Sequence, residues 1–105
     1  MKDEKISLYF DFIDTFIDML HNPKSDNRKV KAMATRIQRI ALKMSVLSSD
    51  DTMEAYLKWR AVSSGDDSPE EKFKVFAQFI IAMRRDIMGM GAGLFTEDDV
   101  LDILV

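Results

Sequence analysis

The sequence predicts an all-α protein, and three of its features carry that prediction. Apolar residues recur at steps of three and four along most of the chain, and no stretch alternates apolar and polar residues for long enough to form a strand. Only two prolines and four glycines interrupt the 105 residues. The chain is 47% hydrophobic and 31% charged, a composition typical of globular proteins. We therefore predict a single helical domain over residues 1–105, with four helices and a short fifth.

The first helix is predicted over residues 3–20, and its apolar face spans roughly 200° of the helix circumference. The members of this face are Ile6, Leu8, Tyr9, Phe10, Phe12, Ile13, Phe16, Ile17, Met19 and Leu20. An arc of this width needs cover from two sides, which predicts either a central place in a bundle or a subunit contact. The opposite side carries Asp3, Asp11, Asp14 and Asp18. This stripe favours a solvated surface over a metal site or an acid–base pair.

The second helix is predicted over residues 26–47, with Ser25 or Asp26 as its N-cap. One of its faces is a coiled-coil-like seam that consists of Val30, Met33, Ile37, Ile40, Met44 and Leu47. The seam is shorter than three heptads, which favours packing in a bundle or against a second subunit over a free coiled coil.

The other face of the second helix is basic and includes Arg36, Arg39 and Lys43. Two interpretations stay open for it. The basic side chains pair with the acidic stripe of the first helix, or they contact phosphate groups or an anionic membrane surface. The net charge of −3 argues against a general nucleic-acid binder.

The third and fourth helices, predicted over residues 50–62 and 69–88, both begin at serine caps. Ser49 or Asp50 caps the third helix, in which Tyr56 and Trp59 are expected in the core. The stretch Ser68-Pro69-Glu70-Glu71 combines an N-cap, a proline at the first helical position and a capping box. The fourth helix is expected to bury Phe73, Phe76, Ile80, Met83 and Ile87, with Ala77 and Phe79 at the flanks of this face.

The glycines at 89, 91 and 93 invite comparison with a phosphate-binding loop. A dinucleotide loop opens a helix, however, whereas Gly89 follows one, and the third glycine does not fit the required spacing. Gly89 is therefore predicted to be a helix C-cap, and the glycine stretch a hinge before a fifth helix over residues 97–104. The stretch Thr96-Glu97-Asp98-Asp99 is predicted to be the capping box of that helix. No cofactor is predicted.

Arg84 and Asp86 are the candidate site residues of the fourth helix. Arg84 falls within the apolar arc of the helical wheel, where a guanidinium needs a partner, and the Asp50–Asp51 cap is the predicted one. Asp86, near a helix C-terminus, is expected to accept hydrogen bonds from loop N–H groups. A structural ion pair and an anionic-ligand site are both open for these four residues.

Two short motifs in the C-terminal half carry a resemblance. Ser49-Asp50 opens a helix, and Ala82-Met83-Arg84-Arg85-Asp86-Ile87 precedes Gly89. The combination resembles a loosely defined group of uncharacterised bacterial helical domains, from which the chain departs in having Met88 before the glycine. The resemblance implies no activity. It does imply a domain that often follows a membrane anchor, so that this chain would be the cytosolic part of a longer protein.

The excess of apolar helix face predicts a protein-interaction or oligomerisation module without catalytic activity, with a homodimer as the expected state. Binding of nucleic acid or an anionic surface through Arg36, Arg39 and Lys43 is one alternative. A small carboxylate-dependent enzyme is the other, although no nucleophile–base pair, ligand cluster or cofactor loop is visible. No apolar run approaches the roughly 20 residues of a membrane span, the start of the chain lacks the pattern of a secretory signal, and there is no cysteine. A cytoplasmic protein is expected.

Overall fold

A computed structural model of the chain describes residues 2–21, 27–89 and 95–104. Within these ranges the regular structure is entirely helical. The helices are α1 (Lys2–His21), α2 (Asn27–Leu47), α3 (Asp50–Ser63), α4 (Pro69–Met88) and α5 (Glu97–Leu104). The predicted all-α class is confirmed, and every predicted helix boundary lies within one residue of the observed one. None of the described helices is long and apolar enough to cross a membrane.

The chain forms two units, Met1–Leu47 and Ser48–Val105. In the first unit α1 packs against α2, and in the second α4 packs against both α3 and α5. The packing of four helices into one bundle and the single domain over residues 1–105 stay predictions.

The starts of α3 and α4 have the serine caps that the sequence predicts. Ser49 Oγ accepts a hydrogen bond from Thr52 N at 3.3 Å, and Ser68 Oγ accepts one from Glu71 N at 3.2 Å. Each bond satisfies one of the backbone donors that a helix start leaves without an intrahelical acceptor.

The end of α4 and the start of α5 also follow the prediction. Gly89 has a φ of 73°, and its N–H donates to Arg85 O, which makes it the C-cap of α4. Thr96 and Asp99 form a reciprocal capping box: Asp99 Oδ2 accepts from Thr96 N at 2.8 Å, and Thr96 Oγ1 accepts from Asp99 N at 3.3 Å. The predicted cap of α2 and the predicted hinge at Gly91 and Gly93 lie outside the described residues.

The buried face of α4 is broader than predicted and centred differently. Ala77 and Phe79, expected at its flanks, are fully buried, whereas Phe73, Ile80 and Ile87 are only half-buried. The reason is that α4 has a neighbour on two sides. Its buried residues are Val75, Phe76, Ala77, Phe79, Ile81 and Met83.

Aromatic rings join α3 to α4, and a small apolar cluster joins α4 to α5. Phe79 lies edge-on to Tyr56, with ring centroids 5.7 Å apart, and its centroid is 6.3 Å from that of Trp59. On the other side of α4, Ala77 and Ile81 form a buried cluster with Val100 of α5. Tyr56 and Trp59 are therefore core residues, as expected from their place in α3.

In α1 the buried residues form one edge of the wide apolar arc, and the other edge stays open. Leu8, Tyr9 and Phe12 are buried, whereas Phe10 is 61% exposed. Among the described residues of the Met1–Leu47 unit, α2 covers only the first edge, so cover of the arc from two sides stays a prediction.

Candidate functional site

A polar network ties the start of α3 to the last turns of α4. Asp86 Oδ2 accepts a hydrogen bond from Ser49 N at 3.3 Å, and Thr52 Oγ1 donates to Ala82 O at 3.3 Å. Ser49 Oγ and Thr52 Oγ1 are 2.9 Å apart. Because the hydroxyl proton of Thr52 is given to Ala82, the hydroxyl of Ser49 is the donor in that contact. Thr52 is fully buried, so the network fixes α3 and α4 side by side in antiparallel order.

This arrangement stabilises the negative charge of the Asp86 carboxylate. The last turn of α4 carries the negative end of that helix dipole, which disfavours an acidic side chain. The start of α3 supplies the positive end of a second dipole together with the N–H of Ser49. Asp86 therefore acts as an additional N-terminal cap of α3, supplied from the neighbouring helix.

Arg84 points to a different neighbour. Its guanidinium carbon lies 4.9 Å from the centroid of the Phe95 ring. Its Nε is buried and has no hydrogen-bond acceptor in the part of the chain that the structure describes. Asp50 and Asp51, the predicted partners, are both exposed in the first turn of α3.

Helix geometry explains why Asp86, and not Arg84, meets the cap of α3. Two residues apart on an α-helix lie about 200° apart around its axis, so Arg84 and Asp86 cannot both face α3. The structure brings Asp86 to Ser49 and places Arg84 on the opposite side, toward Phe95. A pairing of Arg84 with Asp50 or Asp51 is not among the contacts of the described residues.

A shallow groove of about 500 Å³ lies beside this network. Its charged lining residues are Asp51, Glu54, Lys58, Arg85, Asp86 and Glu97. In the described ranges no three histidine, cysteine, aspartate or glutamate side chains are placed to hold a metal ion. The charged lining therefore combines four carboxylates with two cations.

The predicted basic patch of α2 divides into two parts. Arg36 and Arg39 are exposed and, together with Lys31, line a shallow concavity of about 460 Å³. Lys43 is also exposed, but it lines a different groove, whose other charged residues are acidic. Arg36 and Arg39 therefore line one concavity, whereas Lys43, one turn after Arg39 on the same helix, lines another.

Sequence reasoning missed two residues of the network around α4. Thr52 resembles any other residue in the first turn of a helix. It lies three residues after the Ser49 cap, however, where a side chain can hydrogen-bond back to the cap. Phe95 lies between the glycines and α5, and no periodicity links it to Arg84. Comparison with protein-family models, curated proteins and solved structures gives no match to the chain.

Proposed function

We propose that the chain is a protein-interaction module that forms a homodimer through the open edge of α1. The observation that carries the proposal is a row of five large apolar side chains that α1 leaves exposed or half-buried. We name this row the α1 seam, and its members are Ile6, Phe10, Ile13, Ile17 and Leu20.

The spacing of the α1 seam favours a helix as its partner. The successive steps are four, three, four and three residues, which is the 3.5-residue period of helices that pack knobs-into-holes. Phe10 is 61% exposed, Ile17 42% and Leu20 45%, so three of the five side chains of the row are available to a partner. A row of this kind differs from scattered surface apolar residues, which need no explanation.

A second copy of the chain is the occupant that this geometry favours. Knobs-into-holes packing requires the same period on both helices, and a two-fold axis through the α1 seam supplies an identical row. The described residues of the Met1–Leu47 unit form two helices, and a second such pair completes a set of four. Apolar burial between copies would then stabilise a unit with a small core of its own.

The test is the molar mass of the full chain, measured by light scattering and sedimentation equilibrium. The protein concentrations, roughly 1–100 µM, bracket a dissociation constant in the micromolar range. We expect a dimer. Phe10→Glu places a charge within the seam and should weaken dimerisation by about 30-fold or more, the scale of an aromatic anchor. Circular dichroism would verify that the variant keeps its helix content.

Leu57→Glu is the matched control, because Leu57 is 60% exposed and lies on α3, outside the α1 seam. It should leave the dimer unchanged. A monomer at every concentration, or equal weakening by Phe10→Glu and Leu57→Glu, would contradict the proposal.

A cytoplasmic location and a bacterial origin belong to the same proposal and rest on sequence features alone.

A second candidate function is the binding of nucleic acid or an anionic surface through α2. It is favoured by the shared concavity of Arg36, Arg39 and Lys31, all of which are exposed. Binding of a labelled DNA duplex or of anionic vesicles should then fall steeply with salt, because phosphate contacts release counterions.

The variant that tests this candidate is the triple change Arg36→Glu, Arg39→Glu and Lys43→Glu, which should abolish binding at 50 mM salt. The control is the triple change Lys58→Glu, Lys74→Glu and Arg85→Glu, which alters the net charge equally at exposed positions of α3 and α4. Equal losses in the two triple variants would show a general charge effect and remove this candidate.

A further inference from the structure

The Met1–Leu47 unit contains a second docking feature, a groove between the start of α1 and the end of α2. Its volume is about 670 Å³, and apolar atoms make up most of its lining. Its lining residues are Asp3, Glu4, Ser7, Leu8, Asp11, Lys43, Val46 and Leu47. We name it the acid-rimmed groove. It shares no residue with the α1 seam.

The floor of the acid-rimmed groove is apolar. Leu8 is buried, Leu47 is half-buried, and Val46 is 82% exposed, the highest exposure among the large apolar residues of the described ranges. Val46 therefore offers an apolar side chain at the edge of a concave surface whose lining is mostly apolar.

The rim of the groove is acidic. It carries three exposed carboxylates, those of Asp3, Glu4 and Asp11, against the single cation of Lys43. Carboxylates that border an apolar floor attract a partner with cations beside its apolar residues and repel one with acids there. This charge pattern distinguishes the groove from the α1 seam, whose five members are all apolar.

We infer that the acid-rimmed groove binds a basic amphipathic helix of a partner protein, with the apolar side of that helix on Val46 and Leu47 and its lysines or arginines at Asp3, Glu4 and Asp11. A helix suits the groove because anchors at spacings of three and four residues place several apolar side chains on one side and leave cations at both edges. The inference does not depend on the proposed homodimer.

The experiment uses the full chain and two synthetic 14-residue peptides, each labelled with fluorescein. The first peptide combines leucine and lysine so that the leucines occupy one side of a helix, and the second has glutamate in place of every lysine. Anisotropy titrations at 50 mM salt should show binding of the lysine peptide at least about tenfold tighter than that of the glutamate peptide. Raising the salt to 200 mM should weaken the binding of the lysine peptide.

Two pairs of variants locate the contact. Val46→Asp should weaken the binding of the lysine peptide by about tenfold or more. The control is Leu42→Asp, since Leu42 is on the same helix, is 70% exposed and lies outside the groove. It should change the affinity for the lysine peptide by less than about twofold. Asp11→Lys should weaken it several-fold, whereas Asp14→Lys, one turn further along α1 and outside the groove, should not.

Equal effects of a groove variant and its control, or equal binding of the two peptides, would overturn the inference. Light scattering separates a further outcome. If Val46→Asp converts a dimer of the chain to a monomer and leaves peptide binding unchanged, the groove is a contact between copies and not a site for a basic partner. Loss of the dimer in Phe10→Glu with retained peptide binding would leave the inference standing.

Discussion

Replacement of Phe79 by alanine is expected to lower the free energy of unfolding of the Ser48–Val105 unit by about 3–5 kcal/mol. The Phe79 side chain is fully buried, and its ring contacts those of Tyr56 and Trp59. Its removal leaves a cavity between α3 and α4 that the two remaining rings cannot fill without leaving their places. The cost therefore combines lost apolar burial, the cavity and about 0.5–1.5 kcal/mol for each lost ring pair.

The measurement is urea denaturation followed by the fluorescence of Trp59, the only tryptophan of the chain, and by circular dichroism. Leu57→Ala is the control: Leu57 is 60% exposed on α3, and its loss should change the free energy by no more than about 0.5 kcal/mol. A Phe79→Ala value as small as that of the control would mean that the contact between α3 and α4 is not the core of this unit.

The helix ends were predictable because their signals are local. Ser68 precedes a proline and two glutamates, and Thr96 precedes Asp99 by three residues, so each cap and its hydrogen-bond partner lie within one turn of each other. Gly89 is the only described glycine with a positive φ, and its place after a long apolar helix is where such a residue is required. None of these features depends on which helix packs against which.

The buried faces were less predictable because they depend on neighbours. Periodicity shows how wide the apolar arc of α1 or α4 is, but the centre of the buried part is set by the helices that cover it. In α4 two neighbours move the centre to Ala77 and Phe79. In α1 the buried edge contains Tyr9 and Phe12, and Phe10 lies in the open edge.

The candidate site was predictable in part. The helical wheel placed Arg84 inside an apolar arc, and its Nε is in fact buried. The wheel carries no information on the partner, because Phe95 lies beyond a glycine-rich segment and Asp86 lies on the other side of the same helix. The acceptor role of Asp86 follows from its place at a helix end, whereas its donor, Ser49, is 37 residues away in the sequence.

Two substitutions of Arg84 should differ in their effects on the free energy of unfolding. Arg84→Ala removes the contact with Phe95 and the packing of the aliphatic stem, and it should lower the free energy of unfolding by about 1–2 kcal/mol. Arg84→Met keeps an apolar stem of similar length and removes a buried donor that has no acceptor among the described residues. It should leave the free energy unchanged or raise it by about 1 kcal/mol, because a buried unsatisfied polar group is destabilising.

The comparison of alanine with methionine separates the observed contact from the ion pair that the sequence suggested. If Arg84 were paired with a carboxylate of the Asp50–Asp51 cap, both substitutions would leave that carboxylate without its partner. Both would then lower the free energy of unfolding by about 3–5 kcal/mol. Urea denaturation of the two variants, again followed by Trp59 fluorescence, decides between the two arrangements. A large loss in Arg84→Met would contradict the contact with Phe95 as the main role of this arginine. A stable Arg84→Met together with a weakened Arg84→Ala requires that the stem and the ring, and not a paired charge, hold Phe95 against α4.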